Sequence, residues 1–468
     1  MKKYICLFLA AVLACLLCGC QTQDPQTPQI LEEPLKIGFG KLNITPTYSV
    51  GLSGMGNAGT RRSEGIVTPI YFSCIAVAKG EEQMLLFTAD TLSFSEDIIP
   101  ILRDAVADVT KVPKDRMFFG STHTHSSPTP YYTSGPEGKY RGEFIVAATQ
   151  VAKMALKDLS SATMSYTKCN IPGMTFVRHY IMADGTYAGS NFGNTNQEYV
   201  KHTYDVDDEM ILVEFQREGK VPVLMINWAA HPAKPNDEGL GYYMIAADFI
   251  EPLRNRLEAL TGAKVVYFDG ASGDVVPRSN VPALDHGMNW KRYGDKLAEL
   301  AYAHYSELKP VENTDLRFAT QRVSCNVEHE LEHLIPQCIE IWSLYTKEDK
   351  REEANEMARA LGLSSRYHAS AIITRARMGA TDERELNVMA IGPLGFTTGT
   401  YEMASQHAME LRAAAPFDAV FMICGNAGYI PREEAIDYRS YEGDTRRYTR
   451  ETGDMLVEKY LQMLESIQ

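Results

Sequence analysis

The sequence predicts an α/β fold with a mostly parallel central sheet and flanking helices, built into a single large domain. Three observations carry that expectation. Short apolar runs of strand length alternate with amphipathic stretches of helical length along most of the 468 residues. Beyond residue 34 there is no second linker, repeat or low-complexity stretch. Hydrophobic residues make up 45% and charged residues 23%, enough apolar material for a large core.

Taken in order, the chain opens with Lys2 and Lys3, then an apolar run from Tyr4 to Cys18 that is too short to span a bilayer as a stable helix. Leu17-Cys18-Gly19-Cys20 follows, and this leader resembles a bacterial lipoprotein signal. The resemblance implies that residues 1–19 are a signal peptide, cleaved before a lipidated Cys20. Val12-Leu13-Ala14-Cys15 is a second possible cleavage site, and an ordinary secretory signal is the alternative. Residues 20–34, rich in Gln and Pro, read as an extended tether. The expected place is the bacterial cell envelope, periplasmic or surface-facing, with the membrane as partner through the lipid at Cys20. A formal charge of −14 argues against nucleic acid, which needs a cationic face. The cysteines outside the leader (Cys74, Cys169, Cys325, Cys338 and Cys424) form no Cys-x-x-Cys pair. Cys74, Cys325 and Cys424 lie in apolar runs and read as buried free thiols.

Residues 35–468 supply strand candidates at 71–78, 84–89, 117–121, 210–215, 221–228, 265–269, 386–391 and 419–424. Helix candidates lie at 96–109, 143–159, 247–260, 290–305, 339–361, 403–413 and 455–467. In parallel α/β sheets chemistry gathers beyond the carboxyl ends of the strands. Two such ends run into histidines: 117–121 into Thr122-His123-Thr124-His125, and 221–228 into Ala229-Ala230-His231-Pro232. Later apolar runs lead to Glu402 and to Tyr429. His-x-His on an extended segment puts two imidazoles on one face, suited to one metal, or to a metal ligand beside a proton carrier.

Two other patterns compete. His329-Glu330-Leu331-Glu332-His333 matches the zincin motif, which needs a helix to put both histidines on one face; the alternation from Val323 through Leu331 instead predicts a strand with a charged end. Gly54-Met55-Gly56-Asn57-Ala58-Gly59 matches a dinucleotide fingerprint, but no strong strand precedes it and a poor helix follows, so a glycine-rich loop edging the site is expected. Asp248 and Asp274 are read equally as acceptors orienting metal-bound histidines or as caps of a helix and a turn.

A set of ordered motifs resembles the neutral (non-lysosomal) ceramidases and their bacterial relatives, zinc-dependent amidases. They are Asn43-Ile44-Thr45-Pro46, Thr122-His123-Thr124-His125-Ser126, Asn227-Trp228-Ala229-Ala230-His231-Pro232, Ala247-Asp248-Phe249, Gly270-Ala271-Ser272-Gly273-Asp274, Gly428-Tyr429-Ile430-Pro431 and Tyr441-Glu442-Gly443. Carried over by position, the resemblance implies zinc ligands at His123, His231, Glu402 and Tyr429. It puts His125, Arg178 and Tyr441 around the reacting carbonyl, with His125 moving protons and Arg178 and Tyr441 holding the oxyanion or leaving group. Three departures stand out. Thr400-Tyr401-Glu402 replaces the family's Pro-Gly-Glu, Val276 occupies the place of a family serine, and the family's C-terminal accessory domain is expected to be absent. The loss of the serine favours attack by metal-activated water on an amide, an N-acyl bond of a lipid or acylated sugar. The alternatives are an ester hydrolase using the same metal and a non-catalytic surface binding protein.

Overall fold

Only Gly80-Glu81 separates two successive strands, and a crossover between parallel strands needs a dozen residues or more. The strands Tyr71–Lys79 and Glu82–Ala89 therefore pair as an antiparallel hairpin. In the computed structural model, which describes residues 33–56, 61–189, 198–234, 236–345, 347–425 and 427–468, this hairpin is part of a nine-stranded sheet. Its order is Lys264–Asp269, Val223–Trp228, Glu209–Arg217, Ser160–Asn170, Lys36–Asn43, Tyr71–Lys79, Glu82–Ala89 and Met117–Ser121, with Lys309–Val311 also on Ser160–Asn170. A second sheet runs Leu316–Asn326, Thr381–Ile391, Leu394–Gly399, Ala419–Cys424. Leu35–Gln468 forms one compact unit. The leader, Cys20 and the tether up to residue 32 lie outside the described residues.

The α/β content in a single large domain agrees with the sequence, but the expected mostly parallel sheet does not. In the large sheet only Val223–Trp228 with Lys264–Asp269 and Glu82–Ala89 with Met117–Ser121 are parallel; the other junctions are antiparallel. The reason is visible in the strands that the apolar pattern did not reveal. Lys36–Asn43, Ser160–Asn170 and Leu316–Asn326 mix buried with half-exposed and exposed positions, as strands partly open to solvent do. All three pair antiparallel with strands that were expected, and the first two so reverse the direction of the large sheet between its edges.

Helices cover the outside. Gly135–Lys157 lies on the large sheet, and Ile250–Thr261 packs with Trp290–Ala303 over its other edge. The helix expected over 339–361 is two, Ile335–Tyr345 and Arg351–Ala360; a charged run, Lys347-Glu348-Asp349-Lys350, offers no apolar position to the core where they break. With Arg366–Arg375 they form a helical lobe around its own core of Cys338, Ile341, Ala354, Ala358 and Ile372. Among the described residues no helix is long and apolar enough to cross a membrane. The cysteines at 74, 169, 325, 338 and 424 are free and buried, as expected for Cys74, Cys325 and Cys424.

The two sheets enclose one core in which Phe118, Phe268, Phe396 and Phe421 meet. The large sheet curls until its edges touch: Thr88 Oγ1 near one edge donates to the Tyr267 carbonyl at the other, at 3.0 Å. Asn227 ties that edge to the second sheet, its Nδ2 donating to the carbonyls of Phe268 (3.0 Å) and Met422 (2.8 Å) while its Oδ1 accepts from Met422 N–H. At the carboxyl end of Glu82–Ala89, Asp90 takes a bidentate pair from buried Arg254 at 2.9 and 2.7 Å.

Close packing of Gly135–Lys157 on Lys36–Asn43 depends on bare backbone at Gly38, where a Cβ would fall inside the Ala155 carbonyl. Gly38→Ala is expected to cost about 2–3 kcal/mol in chemical denaturation, as overpacking against backbone does. Gly142, exposed on the same helix with nothing within 4 Å of an added Cβ, is the opposite case, and Gly142→Ala should gain about 0.5–1 kcal/mol.

Candidate metal centre

All six strands of the three parallel pairs in the two larger sheets end on the same spot. Glu82–Ala89 leads to Leu92, Met117–Ser121 to His123 and His125, Val223–Trp228 to His231, Lys264–Asp269 to Ser272, Leu394–Gly399 to Glu402, and Ala419–Cys424 to Tyr429. The carboxyl-end rule therefore holds locally in a sheet that is mostly antiparallel. Glu402 and Tyr429 also pair with each other on a short parallel bridge, Glu402–Met403 beside Tyr429–Ile430.

His123 Nδ1 lies 2.7 Å from the Leu92 carbonyl, and His231 Nδ1 lies 3.0 Å from the Ser272 carbonyl. A carbonyl only accepts, so both Nδ1 atoms carry hydrogen and both Nε2 atoms present lone pairs when the rings are neutral. Those two Nε2 atoms face each other at 2.9 Å. His125 Nε2 lies 3.2 Å from His123 Nε2, and Glu402 Oε2, which has no hydrogen-bond partner among the described residues, lies 3.4 Å from His123 Nε2 and 4.0 Å from His231 Nε2. All four residues are at most 8% exposed. Lone pairs directed at one another out of water, beside a buried carboxylate, call for a cation. Zinc–nitrogen and zinc–oxygen bonds of about 2.0–2.2 Å put neighbouring tetrahedral ligand atoms about 3.3 Å apart, close to most of these separations. The donor set fits that metal.

The carbonyls do what Asp248 and Asp274 were candidates for. Asp248 instead accepts from Phe249 N–H at 2.6 Å at the start of helix Ile250–Thr261, and Asp274 accepts from Tyr204 Oη and Ser405 N–H, both at 2.8 Å. The backbone is held in turn. His123 sits at φ +60°, an uncommon value for a residue with a Cβ, and Arg61 Nη1 donates to the His125 carbonyl at 2.5 Å. Gly54, at φ +96°, lies flat against the His125 ring, which an added Cβ would strike, so this described part of the glycine-rich loop does edge the site. Residues 57–60 of that loop lie outside the described residues.

Electrostatics distinguish the three rings. Burial works against a charged His123, but Glu402, with Asp269 and the Leu92 carbonyl, more than offsets this and raises its pKa. Burial, with the charges of His123 and Arg178, depresses His125 and His231 well below the ordinary range, so both are neutral imidazoles. Burial, then Glu402, pushes the Tyr429 phenol well up, so it needs an adjacent cation to ionise.

Arg178 and Tyr441 are also in place. Arg178 Nη2 donates to Tyr429 Oη at 3.3 Å and to the Gly273 carbonyl at 2.8 Å, and its guanidinium carbon lies 5.6 and 5.8 Å from the Tyr429 and Tyr441 ring centres. The tyrosine rings are 5.5 Å apart, edge to face. The sequence reading missed what holds Arg178. Glu442 Oε1 accepts from Arg178 Nε at 2.5 Å while Oε2 lies 2.5 Å from His179 Nε2, and His179 Nδ1 is 3.0 Å from both Tyr204 Oη and Tyr438 Oη. Its signal was adjacency, since Glu442 and His179 each follow a residue that was singled out.

The zincin pattern does not form a site. His329 bonds Glu332 and the Gly379 carbonyl, Leu331 sits at φ +67°, and Glu332–Leu334 is a single 3₁₀ turn. The preceding strand ends at Asn326, so the expected strand with a charged end stops short of the motif. Near His407, Glu410 and Asp454 the cation is already present, because Arg432 pairs with both acids at 2.7 and 3.6 Å. Ser272 Oγ donates to Asp269 at 2.5 Å and Ser279 Oγ lies 2.8 Å from His202 Nε2, so neither substitutes for the hydroxyl missing at Val276.

No protein-family model matches this chain, and no curated protein matches it in sequence. Solved structures do. The neutral ceramidase from Pseudomonas aeruginosa superposes with a TM-score of 0.66 at 14% identity, over 92% of this chain and 74% of that one. A ceramidase complexed with C2 superposes with a TM-score of 0.65 at 13% identity, over 92% and 75%. The fold is neutral ceramidase-like.

Glu442 offers a test of how the centre is braced. Burial opposes its charge, but Arg178 and then His179 hold its carboxyl down to about 2. A depressed folded pKa contributes stability that is fully present above about pH 4.5 and is lost as pH falls from there through about 2. Glu442→Gln is therefore expected to lower stability at pH 7 by roughly 3 kcal/mol and to flatten the acid limb of a denaturation series between those pH values.

Proposed function

We propose that this chain is a zinc-dependent hydrolase of an amide, an N-acyl bond in a lipid or acylated sugar. The observation that carries the reading is the pair of buried, carbonyl-locked imidazoles, His123 and His231, whose Nε2 atoms face each other beside Glu402 at the strand ends of a ceramidase-like fold. In this reading His123, His231, Glu402 and Tyr429 hold the metal. Zinc in such a set lowers the pKa of water toward neutrality and polarises a carbonyl, which is what amide hydrolysis needs.

The protein's own groups then divide the work. His125, neutral and buried on the same spot, is suited to take a proton and return it to the leaving amine. Tyr441, whose phenol burial keeps protonated, donates a hydrogen bond to developing negative charge. Arg178 is braced by Glu442 and keeps Tyr429 in position while adding positive charge beside the reacting group. With valine at 276 and the nearby serines engaged elsewhere, attack by water is favoured over attack by a protein hydroxyl. An ester hydrolase with the same centre is the second reading; a matched amide and ester panel separates the two.

The structure also brings His125 Nε2 within 3.2 Å of His123 Nε2, against 2.9 Å for His231 Nε2, so its role needs its own test. His123→Ala is expected to abolish stoichiometric zinc and hydrolysis together. His125→Gln is expected to keep zinc, measured by elemental analysis, and to lose at least about 100-fold in kcat. If purified protein holds no stoichiometric metal and His123→Ala hydrolyses a responsive amide normally, the reading is wrong.

The cell-envelope location and the lipid at Cys20 are part of the same proposal, supported by Lys2, Lys3 and Leu17-Cys18-Gly19-Cys20. Cys20→Ser is expected to move the protein from the detergent phase to the aqueous phase in a partition assay. An unchanged partition would remove the anchor.

A further inference from the structure

A cavity of about 220 Å³ opens beside the centre and shares two of its walls, Tyr429 and Tyr441. Its other side comes from the helical lobe, where Arg366–Arg375 contributes Tyr367, Ser370 and Thr374. Arg447 closes the lining. The cavity holds about seven water volumes, enough for a group of amino-acid size and too little for a long alkyl chain.

No carboxylate lines this cavity, although the chain carries 60 Asp and Glu against 46 Lys and Arg. Several arginines near it in sequence are matched to acids. Arg446 pairs with Glu328 at 2.7 Å, Arg432 with Glu410 at 2.7 Å, Arg450 with Asp437 at 2.9 Å and Arg439 with Asp444 at 3.4 Å. Arg366 and Arg375, on the helix that lines the cavity, pair with no described acid but donate to Tyr367 Oη and to the Asp444 and Arg446 carbonyls; half-buried Arg447 makes no ion pair and no side-chain hydrogen bond with any described residue, and its guanidinium runs along the bare backbone of Gly428, where there is no side chain in the way. A guanidinium partly withdrawn from water without an acid pays desolvation that an anion would return. Phenol and hydroxyl groups around it supply further hydrogen bonds, and the ring faces of Tyr429 and Tyr441 lead from it toward Arg178.

We propose that this cavity is a specificity subsite for a compact anionic group of the substrate, a carboxylate or similar oxyanion borne on a moiety of amino-acid size and received by Arg447. The proposal rests on the amide-hydrolase reading and names its substrate class: N-acyl compounds whose small polar part is negatively charged. Ser370 and Thr374 orient that part, and the tyrosines place the amide toward the histidines.

The test compares two probes with the same acyl chain, an N-acylglycine, which carries a carboxylate, and an N-acylethanolamine, which carries a hydroxyl at the same end. Turnover is measured as kcat/KM on the zinc-loaded enzyme, and binding is measured calorimetrically on protein stripped of metal. The expected result is at least about a tenfold preference for the carboxylate probe in both readouts. Arg447→Gln should collapse that ratio toward one, and Arg447→Lys, which keeps the charge, should retain part of it; unfolding midpoints within a degree or two of wild type confirm that both variants fold. Turnover without charge preference, or a ratio unmoved by Arg447→Gln, overturns the subsite and leaves the amide-hydrolase reading intact. Preferential binding of the carboxylate probe that Arg447→Gln abolishes, without turnover of any amide or ester, keeps the subsite and removes the hydrolase. Neither binding nor turnover of either probe counts against both.

Discussion

Two imidazole nitrogens pointed at each other across 2.9 Å inside a protein make up the constraint on which the site depends. Lone pairs in that arrangement repel, and burial removes the water that would otherwise separate them. The rings cannot turn away, because each Nδ1 is anchored on a backbone carbonyl, Leu92 for one and Ser272 for the other. The chain around them accepts uncommon geometry to keep this so. His123 adopts a positive φ, and Gly54 and Gly273 lie where a Cβ would strike the His125 ring and the Glu402 carbonyl. A fold that sets these groups together at one point and braces them from several sides is suited to hold a cation there.

The scaffold divides accordingly. Antiparallel strands in the middle of the large sheet carry no site residue; they hold its two edges apart in sequence and let the sheet curl until those edges meet. The parallel pairs sit at the two edges and in the second sheet, and their carboxyl ends deliver His123, His125, His231, Glu402 and Tyr429 to one place. Asn227 fastens three strands there with hydrogen bonds to Phe268 and Met422. Behind Arg178, a run of buried and half-buried groups through Glu442, His179, Tyr204 and Asp274 ends on the backbone of Ser405 and connects the Arg178 side of the site to a helix start. In such a run each polar group satisfies the next, so breaking one link exposes its neighbours to an uncompensated buried charge.

Several features were legible along the chain because they depend on local physics. The strands Met117–Ser121 and Ala419–Cys424 are continuous apolar runs, and they begin and end where the composition changes. His-x-His at a strand end, followed by hydroxyls and proline, marks a place where chemistry gathers. The zincin-like His329-Glu330-Leu331-Glu332-His333 was recognised as a decoy for a local reason, the lack of helical periodicity around it. Strand direction was not legible in the same way. Lys36–Asn43 and Ser160–Asn170 mix polar and apolar residues, and their antiparallel pairing becomes visible only when both neighbours are in position, although the two-residue link at Gly80-Glu81 had already forced one hairpin.

The sequence by itself determined which side chains are available and which strand ends present them, since residue type and apolar periodicity are properties of neighbours along the chain. Tertiary structure alone decided that Leu92 and Ser272 would orient the histidines rather than Asp248 and Asp274, and that Glu442 would brace Arg178. It also left Arg447 as the half-buried arginine that closes the cavity beside the centre and pairs with no described acid. Those outcomes depend on which distant carbonyl, acid or empty space comes to lie next to a given atom. Hydrogen bonds and ion pairs act over about 3 Å, and residues that are about 30 to 260 positions apart reach that distance only after the sheet has curled and its edges have met.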